Sequence, residues 1–230
     1  IANENNVRQK FSNVLGPSKT ATLYNYSDLV PESVIPYEKK LYDLIYCGGI
    51  SKIRGAFDMV HAILRVKLKK PDISAVFVGP FYPSALKQEL MSFLRAHDLE
   101  DNIELVDRVS HRDVGKFYEN SRIGLVLLHK LKTFEMSMPI KIFEYMAYGL
   151  PIIGSNFGHI QHYLLKDQSG IVVDPTYHDE TAKAILKLLV DRKLYNEISH
   201  RCSSISQKEY NWNIEFERLL GFYKKALDAR

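Results

Sequence analysis

The sequence predicts an α/β protein built on a doubly wound parallel sheet flanked by helices, a Rossmann-like domain. Two observations predict it. Runs such as Ala75-Val76-Phe77-Val78 and Gly124-Leu125-Val126-Leu127-Leu128 are apolar throughout rather than alternating, the pattern of strands buried on both faces. The chain also repeats one rhythm, a short apolar run, a Gly or polar turn, then an amphipathic stretch of helical spacing, which describes βαβ units.

In chain order the expected strands are Ala21 to Tyr24, Leu41 to Cys47, Ser74 to Val78, Ile103 to Val106, Ile123 to Leu127, Ile152 to Ser155 and Ile171 to Val173. Helical spacing marks Phe57 to Lys69, Pro83 to His97, Arg112 to Ser121, Pro139 to Tyr148 and Thr181 to Asp191. The tail from Ser206 to Arg230 reads as one more helix, with Trp212, Phe216, Leu219, Leu220 and Tyr223 forming an apolar stripe that needs a surface to lie on. No repeat or low-complexity tract breaks the pattern. Three regions are expected: a lead-in segment over 1–35, a Rossmann-like ligand-binding domain over 36–205 and a C-terminal helix over 206–230.

Composition narrows the function. A chain of 230 residues with 46% hydrophobic and 25% charged residues is an ordinary globular protein with a buried core. The net charge of +4, from 31 Lys and Arg against 27 Asp and Glu, is too mild for a nucleic-acid binder and suits a phosphorylated ligand or an anionic membrane face. Cys47 and Cys202 have no metal-ligand spacing, which excludes a disulfide framework or zinc site and points to a reducing, cytoplasmic setting. The apolar runs Ile73 to Pro80 and Ile123 to Leu128 fall well short of the roughly 20 residues that span a bilayer. The beginning, Ile1-Ala2-Asn3-Glu4-Asn5-Asn6, has neither a Met start nor a signal pattern, and is expected to continue something upstream.

In a doubly wound sheet ligands sit beyond the carboxyl ends of the strands, so the loops there carry the candidate chemistry. Gly48-Gly49-Ile50-Ser51-Lys52-Ile53-Arg54-Gly55 joins a strand to a helix. Gly48 and Gly49 permit close backbone approach, the helix start offers free N–H groups, and Lys52 and Arg54 bring positive charge, together a cradle for a diphosphate. The same residues also describe a tight turn carrying two solvated cations. The loop is neither G-x-G-x-x-G nor G-x-x-x-x-G-K-[ST], which disfavours a dinucleotide fold or a P-loop.

The second constellation runs from Ser137 to Ile153. Pro139 and Gly149 frame a short helix whose core face is Ile140, Phe143 and Ala147, leaving Lys141 and Glu144 to share the other face. These two form either a surface ion pair, worth under about 1 kcal/mol, or a phosphate-binding cation and a ribose-binding carboxylate. His111, His129, His159 and His162 are placed near strand ends or loops, where an imidazole can reach phosphate.

Read in order, these pieces resemble the C-terminal domain of the group 1 family of retaining GT-B glycosyltransferases, and the match covers most of the chain. Tyr24-Asn25-Tyr26 resembles the family's approach to this domain, and Gly48 to Gly55 its phosphate loop, G-R-x-x-x-x-K-G. Phe77-Val78-Gly79-Pro80 is similar to its second strand and Gly turn, and Arg108 to Val114 to the stretch whose backbone meets the base. Met138 to Ile153 looks like the helix bearing the ribose-binding Glu, and Gly170 with Val173-Asp174-Pro175 resembles the segment that follows. Tyr210-Asn211-Trp212 is similar to the start of a final helix that crosses back onto the N-terminal domain, which this chain lacks. The form P-x-K-x-x-E-Y-M-A recurs in members similar to capsule, O-antigen and exopolysaccharide enzymes.

Two positions depart from the family pattern. Gly49 stands where the phosphate loop usually has Arg, leaving Arg54 in the place of its Lys. The first Glu of Glu-x7-Glu falls at Met136, with Glu135 one residue out of register.

The resemblance implies transfer of a hexose-type sugar from a nucleoside diphosphate to a glycan or lipid-linked acceptor, with retention. It implies Arg54 and Lys141 as the catalytic cations, and Gly48, Gly49, Lys52, Gly79, Arg108, Val109, Pro139, Ile140 and Glu144 as donor-binding residues. No Asp-x-Asp occurs in the chain, so no metal and no other cofactor is expected beside the sugar nucleotide. Peripheral contact with the inner face of the plasma membrane is expected, and no nucleic-acid partner. The general base belongs to the absent half, so this chain alone is expected to bind donor and transfer little. The contrasting reading is a degenerate module of the same fold that binds no sugar nucleotide and serves as an interaction surface.

Overall fold

In a computed structural model, which describes residues 5–33 and 35–228, six strands form a single parallel sheet. They are β1 (Tyr42–Cys47), β2 (Ala75–Val78), β3 (Ile103–Val106), β4 (Ser121–Val126), β5 (Ile152–Ser155) and β6 (Gly170–Val173), in the spatial order β3-β2-β1-β4-β5-β6. The chain builds outward from β1 to β3, returns to lay β4 on the other side of β1, and continues to β6. Leu44 of β1 accordingly faces Ala75 on one neighbour and Ile123 on the other. The reversal between β1 and β4 opens a crevice at their carboxyl ends, where a ligand can lie.

The helices are α1 (Asn5–Leu15), α2 (Ala56–Lys67), α3 (Leu86–Ala96), α4 (His111–Glu119), α5 (Lys132–Met136), α6 (Lys141–Ala147), α7 (Gly158–Asp167), α8 (His178–Val190), α9 (Arg192–Lys208) and α10 (Trp212–Asp228). Right-handed crossovers put α2 and α3 on one face of the sheet and α4, α6 and α7 on the other. Helix α8 packs beside α2, and α9 runs along α6 and α7. Local chemistry sets several boundaries. Ser110 caps α4 by accepting the Asp113 N–H, and Asp191 caps α9 by accepting the Leu194 N–H. Lys40 closes the other end of α4, donating to the carbonyls of Glu119 and Ser121 at 2.7 and 2.8 Å, and burial lowers its pKa to about 8.

All of β2 and the middle of β1 are buried, as unbroken apolar runs require. The buried charge of β1 is Asp43, held by Arg122 at 3.1 Å, Lys70 at 3.3 Å and the Ser74 N–H at 3.1 Å. This cluster closes the amino ends of β1 and β4, opposite the crevice.

Three expectations change. Ala21 to Tyr24 joins no strand of the sheet. The segment leads instead to Tyr26, whose ring packs 4.7 Å from Phe143 and 5.2 Å from Tyr210. Helices α1, α5, α7 and α9 go beyond the helices expected from the sequence; α9 carries an apolar face of Tyr195, Ile198 and Cys202 at helical spacing, and the short α5 buries no residue. The tail stripe is not buried either. Trp212, Phe216, Leu220 and Tyr223 are exposed, while the buried residue of α10 is Glu215, which accepts the Tyr24 N–H at 3.0 Å. Residues 229 and 230 of that tail lie outside the described residues.

Gly79 fixes how closely the loops after β1 and β2 approach. Its φ is +142°, and a Cβ there would lie 2.1 Å from the Gly48 carbonyl oxygen, closer than any real contact. Gly79→Ala is therefore expected to cost on the order of 1–3 kcal/mol, seen as a fall of several degrees in the circular-dichroism melting midpoint.

Candidate functional site

At the carboxyl end of β1 the chain turns through Gly48 and Gly49 into one 3-10 turn, Lys52–Arg54, before α2 begins. Tyr46 anchors the loop by donating its hydroxyl to the Gly49 carbonyl at 2.7 Å. Gly48 has a φ of +132°, and a Cβ there would sit 2.9 Å from Lys141 Nζ. The missing side chain lets the ammonium lie against bare backbone.

Lys141 opens α6. Its Nζ is shielded from solvent, lies 4.2 Å from the centre of the Tyr46 ring and has no hydrogen-bond partner among the described residues. An ammonium left without an acceptor in such a place is unfavourable, and the ring face offsets only part of the loss. This arrangement suits a site that receives an anion. Glu144, one turn further along α6, does not pair with Lys141. Its Oε2 instead accepts the Tyr118 hydroxyl at 2.7 Å, so the surface ion pair that the spacing allowed does not form.

Arg54 completes the positive side. Its guanidinium lies 5.8 Å from the Phe134 ring centre, and among the described residues no carboxylate pairs with it. A cavity of about 380 Å³ lies between these groups, lined by Cys47, Gly48, Arg54, His111, Val114, Tyr118, Leu128, Phe134 and the run Ser137 to Lys141 with Glu144. Burial pushes the Cys47 thiol above its usual range, making it a neutral wall rather than a nucleophile. Burial likewise pushes the Tyr118 phenol well up, so it stays a donor.

Six of the residues expected to bind the donor or stabilise its charge thus converge, Gly48, Arg54, Pro139, Ile140, Lys141 and Glu144, and His111 joins them. The others lie around or behind them. Lys52 turns away to Glu89 on α3, at 2.6 Å. Gly49 faces the Tyr82 ring, and Gly79 backs the Gly48 carbonyl rather than lining the cavity. Arg108 is exposed on the loop after β3, and Val109 packs against the core. Glu135 faces Lys130 at 3.6 Å, and Met136 is exposed, so neither lines the cavity.

Of the histidines, His111 lies at the cavity and meets Asp28 at 3.0 Å, a bond that holds the Asp28 carboxyl below its usual range. His129 is bound to Asp58 at 2.7 Å, and Asp58 also meets His178 at 3.1 Å. His159 and His162 lie in the first half of α7, which follows β5, beside the Tyr163 ring, and do not line the cavity.

Tyr118 is the site residue that sequence reasoning missed. It lies inside a helix among core positions, and only the folded structure brings its hydroxyl to Glu144. Larger depressions exist among the described residues. One, about 820 Å³, lies at the amino edge of the sheet over the satisfied Asp43 cluster, and another, about 680 Å³, lies along α9. Among the described residues no group of His, Cys, Asp and Glu is placed to hold a metal ion.

The family model described as Glycosyl transferases group 1 matches residues 32–204. An uncharacterized glycosyltransferase of Haemophilus influenzae is 25% identical over 183 residues, covering 77% of this chain and 49% of that protein. Spore coat protein SA of Bacillus subtilis is 24% identical over 192 residues, covering 79% and 48%. The chain spans about half the length of the curated relatives it matches. Among solved structures, the C-terminal domain of a group 1 family glycosyl transferase from Francisella tularensis has a TM-score of 0.65 at 19% identity, covering 92% of this chain and 96% of that one. Anabaena HepE in complex with UDP and glucose has a TM-score of 0.76 at 15% identity, covering 97% and 62%. At these identities the likeness is one of fold.

The uncompensated ammonium generates a prediction of opposite signs. Lys141→Met removes the unpartnered charge while keeping the stem, so the melting midpoint of the ligand-free protein should hold or rise. A clear fall would show that the charge supports the fold.

Proposed function

We propose that this chain, which belongs to the group 1 glycosyltransferase family, binds a nucleoside-diphosphate sugar in the cavity beyond β1 and β4 and presents it for retaining transfer of a hexose-type sugar to a glycan or lipid-linked acceptor. The observation that carries this reading is the buried, unpartnered Lys141 ammonium against the bare backbone of Gly48, one helical turn from a carboxylate fixed by Tyr118. A diphosphate supplies the acceptors that Lys141 and Arg54 lack. A ribose supplies hydroxyl donors for Glu144, while Pro139, Ile140 and the backbone around Arg108 and Val109 are the proposed surroundings of the base.

Loss of the sugar leaves negative charge on the departing nucleoside diphosphate. Cations already in place stabilise that charge without having to reorganise as it develops. Lys141 and Arg54 would carry this role with no metal, since the chain has no Asp-x-Asp. Lys52, committed to Glu89, would serve only after leaving that partner. The general base and the acceptor site would come from a second half, as the greater length of the relatives suggests. Such an enzyme would act in the cytoplasm, in polysaccharide biosynthesis such as that of a capsule. Among the described residues no helix is long and apolar enough to cross a membrane, and the net charge of +4 suits peripheral contact with an anionic face.

Gly49 and Met136 favour the second reading, a module that keeps the fold without binding sugar nucleotide. Isothermal titration with UDP, GDP, dTDP and ADP, first without divalent metal and then with magnesium, separates the two. Saturable, metal-independent binding of one nucleotide is expected, and silence from all four in a folded sample would favour the second reading. Glu144→Ala should weaken the bound nucleotide by about 1–3 kcal/mol through lost charge-assisted hydrogen bonds, with little change in melting. Arg54→Ala should weaken the nucleoside diphosphate more than the bare nucleoside, and equal losses would remove Arg54 from the phosphate site.

A further inference from the structure

Glu144 is half-buried on a seven-residue helix, and a glutamate in that position ordinarily samples several rotamers. Here it does not stand alone. The Tyr118 hydroxyl, on α4 and 26 residues earlier in the chain, donates to its Oε2 at 2.7 Å. Tyr118 is fully buried and its ring is wedged between two others of the α6 region, Tyr145 at 5.4 Å with the planes nearly perpendicular and Tyr148 at 5.2 Å. The phenol is therefore fixed before any ligand arrives, and burial keeps it protonated. Among the described residues no other hydrogen-bond donor holds the Glu144 carboxylate, and Lys141, on the same helix, leaves it unpaired.

We propose that Tyr118 is a positioning residue for donor recognition: by holding one carboxylate oxygen of Glu144, it aims the other at the ribose hydroxyls and so sets the preference for a ribonucleotide over a deoxynucleotide. This rests on the reading of the cavity as a nucleoside-diphosphate site. A glutamate fixed in its bound rotamer loses little freedom when the sugar arrives, which is the benefit of a supporting layer behind a binding group. A buried tyrosine that needed only an acceptor would be satisfied by a backbone carbonyl. Pairing it with a charged group that also faces the cavity ties the α4 core to recognition. A purely structural bond and a positioning bond predict different ligand dependence.

The test is calorimetric, on the chain as it stands, using whichever of UDP, GDP or ADP binds and its 2′,3′-dideoxy counterpart. Tyr118→Phe removes one oxygen. It is expected to weaken the ribonucleotide by about five- to thirty-fold, to leave the dideoxynucleotide nearly unchanged, and to have no further effect once Glu144 is alanine. Equal weakening of both ligands, or an effect that persists in the Glu144→Ala background, would overturn the positioning role and leave Tyr118 as a packing residue. If wild-type protein binds none of UDP, GDP, dTDP and ADP, or Glu144→Ala binds as wild type does, the donor-site reading itself fails and the proposal falls with it, whereas binding of dTDP alone would overturn the ribose preference and leave the donor site standing. Should Tyr118→Phe not fold, Tyr118→Met, which fills similar space with a flexible apolar chain, carries the same expectation.

Discussion

The crevice depends on how closely three loops are allowed to approach one another at the carboxyl edge of the sheet. The turn after β2 lies against the turn after β1 because Gly79 has no side chain to meet the Gly48 carbonyl. Gly55 lets the start of α2 reach the Leu127 carbonyl beyond β4, where a Cβ would lie 2.0 Å away. Gly48 in turn leaves Lys141 facing bare main chain. Packing in a protein interior is dense enough that one added carbon at Gly79 or Gly55 has to move backbone, and one at Gly48 has to displace the Lys141 ammonium. The strand-order reversal supplies a gap, and these contacts give the gap its shape.

Within that shape, the distribution of charge partners is the informative feature. Lys52, Lys70 and Arg122 all meet carboxylates, two of them at the buried Asp43. Lys141 and Arg54 do not, although Glu144 and Glu135 lie close to Lys141 in sequence. Glu144 is claimed by Tyr118 and Glu135 by Lys130. The fold thus directs nearby acids away from the two cations at the crevice, leaving a positive wall opposite a fixed acceptor. A nucleoside diphosphate has the complementary pattern, anionic at one end and hydroxylated beside it. Neutral Cys47 and the apolar Phe134, Val114 and Leu128 line the space between, and a low local dielectric strengthens each polar contact made there.

Fold class was legible in the sequence because a parallel sheet covered on both faces demands unbroken apolar strands, and runs so short and so uniformly apolar rarely arise in another setting. Each of the six sheet strands overlaps an apolar run of the sequence, although β3 carries the exposed Glu104, and helices α2, α3, α4, α6, α8 and α10 overlap stretches of helical spacing. Helix α5 was not legible in this way, since its five residues give no apolar stripe and none is buried, whereas α9 presents Tyr195, Ile198 and Cys202 at helical spacing. Among site residues, Gly48, Arg54, Lys141 and Glu144 could be read because glycine, cation and carboxylate at a strand-to-helix junction are chemically distinctive. Tyr118 looked like any core aromatic.

What the sequence determined by itself is therefore the layering, the strand ends at which a ligand can sit and the residue types gathered there, because hydrophobic periodicity and turn chemistry act locally. Tertiary structure alone decided which charges are committed and which are free. The separation of Lys141 from Glu144, the diversion of Lys52 to Glu89 and the bond from Tyr118 to Glu144 each join residues on different elements or reject a neighbour on the same one. Spacing along a helix says which partners are within reach, and the competition among them is settled only when the other helices are in place.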